Sequence, residues 1–274
     1  MKRYISKAII YLLLMGASVL ALAPFVWMLA SSLKTQEMLF KLNAPLFPRT
    51  PAWGNYVTLI TEYQFHTAAL NSAYIAVIYT VGACFFCTLA GYAFNKFEFM
   101  GKKVLFAIVI GSMMIPFETT MIPLYMVFKR FGLFDSHIGL ILPGLASAFG
   151  IFFINQYMYG LSSEILESGR IDGLGEFAIF RCLVIPITLP AMSSLAIIFF
   201  MNSWNNYLWP LIILKSKEKL TLAVALANLN SSPRFTPYHL LMAGSIISIT
   251  PLVIIFLAFQ KQFISGIAAG AVKG

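Results

Sequence analysis

Charged side chains are scarce in this sequence, so the place where they gather is informative. Asp, Glu, Lys and Arg make up 11% of the 274 residues. Six of them fall within a short stretch: Glu164, Glu167, Arg170, Asp172, Glu176 and Arg181. Carboxylate and guanidinium groups can fix the register of a bound partner through charge-assisted hydrogen bonds, and the intervening Ile165, Leu166 and Ile171 can fill a groove on it. The stretch is therefore either a docking segment or an ordinary polar connecting loop.

The composition of this stretch predicts a short helix, a turn and a second helix. Residues 164–171 are compatible with a helix, and Asp172-Gly173 marks a break, because glycine readily adopts left-handed and turn conformations. A helix is expected to resume from Phe177. Apolar stretches lie on both sides of the segment, and each is long enough to cross a bilayer.

Enzymatic motifs are missing from the sequence. It contains no GxxxxGK[ST], HExxH or GxSxG pattern. Cys84 and Cys87 form a CxxC inside an apolar stretch without further ligands, which favours packing over metal or redox chemistry. The histidines His66, His137 and His239 are expected to be solvated in or beside loops. We therefore expect a chain without catalytic residues, metal or bound cofactor, so that any ATP hydrolysis belongs to another chain.

The overall composition predicts an all-α polytopic membrane protein. Hydrophobic residues make up 59% of the chain, and its mean hydropathy is +0.83, more than a soluble core can accommodate. A spanning helix needs about 20 mainly apolar residues. Six stretches qualify, and the fifth is expected to break near Pro210; they are approximately 8–33, 69–95, 104–128, 138–159, 182–214 and 240–259, with the charged loop at about 160–181 in one transmembrane domain, 1–274.

The orientation of the chain follows weakly from its charge. The first stretch could be a signal peptide with a cleavage site at Ala21-Leu22-Ala23, but its apolar run continues to Leu33, which favours a retained helix. With both termini in the cytoplasm, ten of the 19 basic residues lie inside and nine outside. The positive-inside rule therefore favours this orientation only slightly. No soluble basic face points to a nucleic-acid partner.

Polar residues at membrane depth are candidates for a substrate path, since they are costly there and usually face a cavity or a partner. Glu118 lies between Pro116 and Pro123, where a break or kink is expected; a hydrogen bond to a neighbouring helix or an interfacial position is the alternative role. The fifth stretch carries an amide and aromatic cluster suited to sugar hydroxyls and rings: Asn202, Trp204, Asn205, Asn206 and Tyr207. Interface anchoring and interhelical hydrogen bonding are the alternatives for this cluster.

The run from Glu167 to Leu174, ESGRIDGL, followed by Pro186 and Pro190, resembles the EAA loop of the membrane subunits of ATP-binding-cassette importers. The pattern in that family is EAAxxDGA with a downstream LP, so Ser168 and Gly169 replace two alanines. Further matches resemble the smaller, six-helix permease of maltose-type carbohydrate importers: Asn71-Ser72, Gly91–Phe94, Ile122–Tyr125, Gly132-Leu133, Trp204-Asn205, Pro210-Leu211, Thr221-Leu222 and Gly266–Gly274.

The resemblance implies a type I importer fold with a cytoplasmic coupling helix between the fourth and fifth membrane helices. It implies a second homologous permease, two cytoplasmic ATPases that bind ATP and magnesium, and an external solute-binding protein, in a bacterial or archaeal cell membrane. The residues expected to dock on an ATPase are Glu164, Glu167, Arg170, Asp172 and Gly173. The tail 266–274 would lie against the ATPase pair.

The stretch Lys215–Tyr238 is expected to meet the binding protein, with Thr221, Leu222, Asn228 and Asn230 as contacts and a turn at Ser231–Pro233; a solvated loop is the alternative. The expected substrate is a sugar. The same type of importer for glycerol phosphate, a polyol or an amino acid is the closest alternative, although glycerol phosphate would favour cationic path residues. A secondary transporter would show inverted repeats and ion-coupling residues, which the sequence lacks.

Overall fold

The computed structural model describes residues 2–162, 164–230 and 236–271. Over these residues the chain is helical and contains no strand, which confirms the all-α prediction. The helices, numbered in chain order, are α1 Lys2–Ser32, α2 Gln36–Leu39, α3 Gly54–Thr61, α4 Phe65–Lys96, α5 Lys102–Ser112, α6 Phe117–Arg130, α7 His137–Ile141, α8 Ala148–Met158, α9 Glu164–Ile171, α10 Glu176–Ile179, α11 Ile185–Trp204, α12 Leu208–Ile213, α13 Leu222–Asn228 and α14 Tyr238–Ala271. A π-helical segment, Phe180–Val184, joins α10 to α11.

Four segments are single helices long and apolar enough to cross a membrane: Ile9–Ser32, Phe65–Lys96, Glu176–Trp204 and Tyr238–Ala258. Two further spans are bent helix pairs. The α5–α6 pair bends by 103°, and the pair formed by His137–Gly144 and α8 bends by 41°. Counting each pair as one span gives six, in agreement with the six predicted stretches.

Two helix breaks lie close to their predicted positions. The third span breaks at residues 113–116, with Pro116 as the N-cap of α6, and Pro123 lies inside α6 without ending it. The fifth span breaks at 205–207, just before Pro210, which lies in the first turn of α12. The first turn of a helix tolerates proline because the missing N–H has no intrahelical partner there.

The chain divides into two compact units. The first contains the residues up to His66 and Val224–Val253. Asn55 is buried in it and donates from Nδ2 to the carbonyl oxygens of Ser32, at 2.7 Å, and Lys34, at 2.9 Å. These hydrogen bonds hold the chain that follows α1 against α3.

The second unit contains Thr67–Ala223 and the chain from Ile254. Its core packs α4 and α8 against the segment from α9 to α11; central members are Tyr92, Ile154, Leu166, Phe180 and Phe199. A Cβ atom on Gly91 would lie 2.9 Å from the Cβ of Ile154 and 3.1 Å from the backbone nitrogen of Asn155. Only glycine at position 91 lets α4 and α8 approach so closely.

Cys84 and Cys87 were expected to pack in the interior and the histidines to be solvated. Cys84 and Cys87 are buried, and the Cys87 thiol lies 3.5 Å from the carbonyl oxygen of Ser147, so packing is confirmed. His66 is exposed, as expected, whereas His137 and His239 are half-buried, and each of the three hydrogen-bonds a neighbouring group. Nδ1 of His239 lies 2.7 Å from the Gln36 amide oxygen, and Nε2 of His137 lies 3.0 Å from the carbonyl oxygen of Lys219. His66 contacts the carbonyl oxygen of Ile60.

Candidate functional site

The charged stretch forms an amphipathic helix that is attached to the second unit by one side. Leu166 and Gly169 of α9 are buried. The side chains of Glu164, Glu167, Arg170 and Asp172 are exposed, and so is Ile171, with 86% of its surface accessible. Phe177, after the turn, is 71% exposed. The helix thus exposes carboxylates together with the apolar Ile171, and the helix that follows exposes Phe177, as a docking element requires.

A glycine turn ends α9, as the sequence predicts. Gly173 has φ +83°, and the amide of Leu174 donates to the carbonyl oxygen of Gly169 at 3.0 Å. This is the left-handed termination that glycine favours at helix ends. No atom lies within 4 Å of a Cβ built on Gly173, so backbone conformation and not space requires glycine there.

Gly169 stands where the resembling pattern has an alanine. A Cβ atom there would lie 2.8 Å from the Cδ1 of Leu183. Because that atom is the flexible end of a side chain, an alanine would require only a shift of Leu183, so the packing favours glycine at position 169 without requiring it.

An ion pair closes the turn and connects it to α4. Arg170 Nε lies 2.7 Å from Oε1 of Glu176, and the buried Tyr92 hydroxyl donates to Oε2 of Glu176 at 3.0 Å. The hydrogen bond to Glu176 raises the pKa of the Arg170 guanidinium. The sequence analysis missed the role of Tyr92, because nothing in the local sequence links residue 92 to residue 176.

The last turn of α4 also holds the chain that enters α9. Lys96 Nζ donates to the carbonyl oxygen of Leu161 at 2.8 Å, and Asn95 Nδ2 donates to that of Asn155 at 3.1 Å. Asn95 thus satisfies a carbonyl group in the last turn of α8, and Lys96 satisfies one in the chain that joins α8 to α9. We call this arrangement, α9 with Tyr92, Asn95, Lys96 and Glu176, the coupling end of the second unit.

The predicted path residues lie at two helix breaks in the second unit. Glu118 is exposed in the first turn of α6. The break between α11 and α12 carries Asn205, Asn206 and the exposed Tyr207, and the preceding turn carries the exposed Asn202. Trp204 is buried and stacks on Phe200, with ring centroids 5.8 Å apart. It therefore offers no open ring face comparable to that of Tyr207.

Ring contacts bring the two breaks close together. Phe117, next to Glu118, meets Trp209 of α12 edge to face, with ring centroids 5.8 Å apart. Trp209 also contacts Phe128. The start of α6 and the start of α12 are therefore in contact, although the sequence separates them by about ninety positions.

The residues predicted to contact a binding protein differ in exposure. Thr221 and Leu222, in the second unit, are buried, with 4% and 1% of their surface accessible. Asn228 and Asn230, in the first unit, are exposed. The predicted turn at Ser231–Pro233 lies outside the described residues. The backbone of Gly266–Ala271 continues α14, and the last three residues of the predicted tail also lie outside the described part.

A second polar cluster, which the sequence analysis did not predict, surrounds Asp135. Its Oδ1 accepts hydrogen bonds from the backbone amides of Lys215 and Ser216, at 2.9 and 3.1 Å. Its Oδ2 accepts from Ser216 Oγ at 2.5 Å and from Lys219 Nζ at 3.2 Å. These donors hold the pKa of the Asp135 carboxyl well below its usual range, chiefly through the Lys215 amide.

The same loop is held from α4. Asn71 Nδ2 donates to the carbonyl oxygens of Glu218 and Leu220, at 2.8 and 3.1 Å, and the buried Ser72 Oγ accepts from the amide of Leu222 at 2.8 Å. We call this arrangement, residues 215–222 with Asp135, Asn71 and Ser72, the opposite end of the second unit. α4 thus reaches from one end of the unit to the other.

Comparisons with known proteins match both the sequence and the fold. Residues 83–268 match the family described as binding-protein-dependent transport system inner membrane component. The chain is 39% identical over 266 residues to the arabinooligosaccharides transport system permease protein AraQ of Bacillus subtilis (strain 168), covering 96% of this chain and 94% of the relative.

Two further relatives are similar over nearly their whole length. The lactose transport system permease protein LacG of Rhizobium radiobacter is 31% identical over 274 residues, covering 100% of this chain and 98% of the relative. The trehalose transport system permease protein SugB of Mycobacterium tuberculosis (strain CDC 1551 / Oshkosh) is 31% identical over 257 residues, 93% of each chain.

The fold matches a chain in the crystal structure of a bacterial ABC transporter involved in the import of the acidic polysaccharide alginate. The TM-score is 0.85 at 23% identity, and the match covers 95% of this chain and 97% of the other. This likeness confirms the predicted importer permease fold.

Proposed function

This chain belongs to the family of binding-protein-dependent transport system inner membrane components, and we propose that it is the permease subunit of an ATP-driven sugar importer. It is a multi-pass membrane protein with up to six spans. The observation that carries the proposal is the 39% identity, over 96% of the chain, to a permease named for arabinooligosaccharide transport. Relatives named for lactose and trehalose transport support a carbohydrate substrate.

Under this proposal the chain acts as one permease domain with both termini in the cytoplasm. It pairs with a second homologous permease, two cytoplasmic ATPases and an external solute-binding protein. ATP and magnesium bind to the ATPases, and this chain contributes half of the translocation pathway. Closure of the ATPase pair would then reorient the pathway between its inward-facing and outward-facing states.

The coupling helix of the proposed importer is α9. Glu164, Glu167, Arg170, Asp172 and Gly173 would enter a cleft on one ATPase, with the exposed Ile171 filling its apolar part. Support comes from the buried Leu166 and Gly169, which anchor the helix while the charged side chains face outward. The segment transmits force between protein chains and performs no bond chemistry.

The substrate path would pass the two neighbouring helix breaks of the second unit. Glu118, Asn202, Asn205, Asn206 and Tyr207 are exposed or half-buried there and can hydrogen-bond sugar hydroxyls. Trp204 would support the residues that line the path without contacting the sugar, because its ring is buried. A contact with the binding protein would use Asn228 and Asn230, which are exposed, rather than the buried Thr221 and Leu222.

Reconstitution of the whole complex tests these proposals. The tagged chain is purified with its partner subunits from its native membrane and placed in proteoliposomes with the binding protein. Uptake and ATPase activity are measured with arabinotriose, lactose and trehalose, and with glycerol 3-phosphate and sorbitol as the alternative substrate classes. Sugar-dependent stimulation of ATP hydrolysis is expected. Uptake without ATPase subunits, or of glycerol 3-phosphate alone, would contradict the sugar-importer proposal.

The coupling role is tested by Asp172→Ala and Gly173→Asp in the same assay. Both are expected to abolish stimulated hydrolysis and uptake while the complex still assembles. Glu98→Gln is the matched control, because Glu98 is an exposed carboxylate that pairs with Lys102 and does not touch α9. If the α9 variants transport as well as the control, the docking role of α9 is refuted.

A further inference from the structure

α4 differs from the other spanning helices in having no proline. The single-helix spans contain Pro24, Pro190 and Pro251, and both bent pairs are interrupted. α4 runs unbroken for 32 residues. Since helix kinks arise mainly at prolines and at interruptions of the hydrogen-bond ladder, α4 lacks both of the usual causes of a kink.

One end of α4 is attached to the coupling segment on both sides. Lys96 holds the chain that enters α9, and Asn95 holds the last turn of α8. After the turn, Tyr92 donates to Glu176, which pairs with Arg170 of α9. Tyr92 is buried, with 3% of its surface accessible. Any displacement of α9 by a docked ATPase would therefore act on the last turns of α4.

The other end of α4 is attached to the loop at the opposite end. Asn71 and Ser72 bond three backbone groups of residues 218–222. From Asn71 to Tyr92 the rise along a helix amounts to about 31 Å. The same helix thus connects, through side-chain hydrogen bonds at both ends, two segments that are far apart.

We propose that α4 transmits displacement of the coupling helix directly to the loop 215–222, with Tyr92 and Asn71 as the positioning residues at its two ends. The inference rests on the proposed function, since it requires an ATPase docked on α9. When a rigid element contacts two sites, a displacement at one site changes the relative free energies of the conformations at the other. Nucleotide binding at one end would then change the exposure of the loop at the other.

A thiol reporter at the far end tests this route. Lys217 is exposed in the loop, so Lys217→Cys is introduced with Cys182→Ser, which removes the exposed native cysteine; Cys84 and Cys87 are buried. The purified full complex is labelled with a maleimide fluorophore, with and without the non-hydrolysable ATP analogue AMP-PNP. In this background we expect AMP-PNP to change the labelling rate about threefold or more.

Three variants then locate the route. Tyr92→Phe removes only the hydroxyl that reaches Glu176, and Asn71→Ala removes the tether at the far end. Each is expected to reduce the AMP-PNP response to less than about half, with no larger loss in the double variant, because both act on one route. Tyr157→Phe is the matched control, because the Tyr157 hydroxyl bonds the Ile187 carbonyl oxygen, at 3.5 Å, and not the coupling segment.

The outcomes separate this inference from the proposed function. ATP-dependent uptake by the reporter background tests the importer proposal independently of the labelling. If that background transports sugar but AMP-PNP leaves labelling unchanged, or if both Tyr92→Phe and Asn71→Ala respond like Tyr157→Phe, the α4 route is refuted. Should either variant fail to assemble, the other still cuts the route at its own end and decides the question.

Discussion

Asp135 should hold the loop 215–219 in place, and a graded series of substitutions can measure how strongly. The residue has φ +51°, in the left-handed region, which asparagine and glycine tolerate and alanine does not. Its carboxylate binds two backbone amides, a serine hydroxyl and a lysine ammonium. Asp135→Asn removes only the charge. Asp135→Gly removes the whole side chain but keeps a residue that tolerates this φ. Asp135→Ala removes the carboxylate and also places a residue that is disfavoured at this φ.

The expected losses follow from the contacts. Asparagine keeps an acceptor for the two amides but loses the charge, and hydrogen bonds to charged groups are about 1 kcal/mol stronger than neutral ones. The ion pair with Lys219 adds little because both side chains are partly open to solvent, which screens the pair. We expect a loss in local stability of about 1–2 kcal/mol for asparagine, about 2–3 kcal/mol for glycine, and about 1 kcal/mol more for alanine.

Tryptic cleavage at Lys215, Lys217 and Lys219 under native conditions reports opening of this loop. When opening is faster than cleavage, the rate follows the population of the open form, so the losses correspond to increases of about tenfold, about 100-fold and several hundred-fold. Glu218→Gln is the control, because it removes an exposed carboxylate from the same loop. The reasoning would be refuted if trypsin cleaved all three Asp135 variants at the rate of the control, or if it cleaved Asp135→Ala no faster than Asp135→Gly.

Further predictions concern the same loop and the packing of both units. Because the folded pKa of Asp135 lies below its ordinary value near 4, the stabilisation by this carboxylate is present above that value and is lost as the pH falls below it. Hydrogen exchange at the Lys215 and Ser216 amides should therefore become faster below about pH 4 than the pH dependence of exchange in an unstructured chain accounts for. Asp135→Asn should abolish this additional acceleration. Gly91→Ala should lower the stability of the purified complex to heat by about 1–3 kcal/mol. The loss should exceed that of Gly82→Ala, because Gly91 faces the Cβ of Ile154 and a backbone nitrogen, whereas Gly82 faces the flexible end of Leu145; equal losses would contradict the packing account. Asn55→Ala should lower the stability of the complex by about 2–3 kcal/mol, because two buried carbonyl groups lose their donor. If the variant unfolded at the same temperature as the wild type, water would have replaced the Asn55 side chain as the donor.

The sequence allowed the local structure of the coupling segment to be predicted, because its signals are local. Charged residues at 164–172 and glycine at 173 predicted a helix and a left-handed turn, and both are present. Apolar stretches of sufficient length likewise predicted the spans. Signals of this kind depend on composition within one or two helical turns, which a single sequence displays.

The contacts that position the segment could not be predicted. Tyr92 lies 84 positions from Glu176 in the chain, and Asp135 lies about 80 from the loop it binds. Such pairs depend on which helices pack together, and no periodicity encodes that. The sequence placed the breaks only approximately for a related reason. Of the prolines around them, Pro116 is the N-cap of α6, Pro123 is accommodated inside α6, and Pro210 lies in the first turn of α12.

The helix breaks and the unbroken α4 suit different tasks. A break at membrane depth leaves backbone polar groups without helical partners, which is tolerated only where protein or a water-filled cavity satisfies them. Glu118 and Asn205–Tyr207 lie at such breaks, where a sugar could use the same polar groups. A broken helix, however, transmits displacement poorly. The proposed path and the proposed mechanical connection therefore fall on different helices, and substitutions at the breaks should alter sugar selectivity without abolishing the nucleotide response of the 215–222 loop.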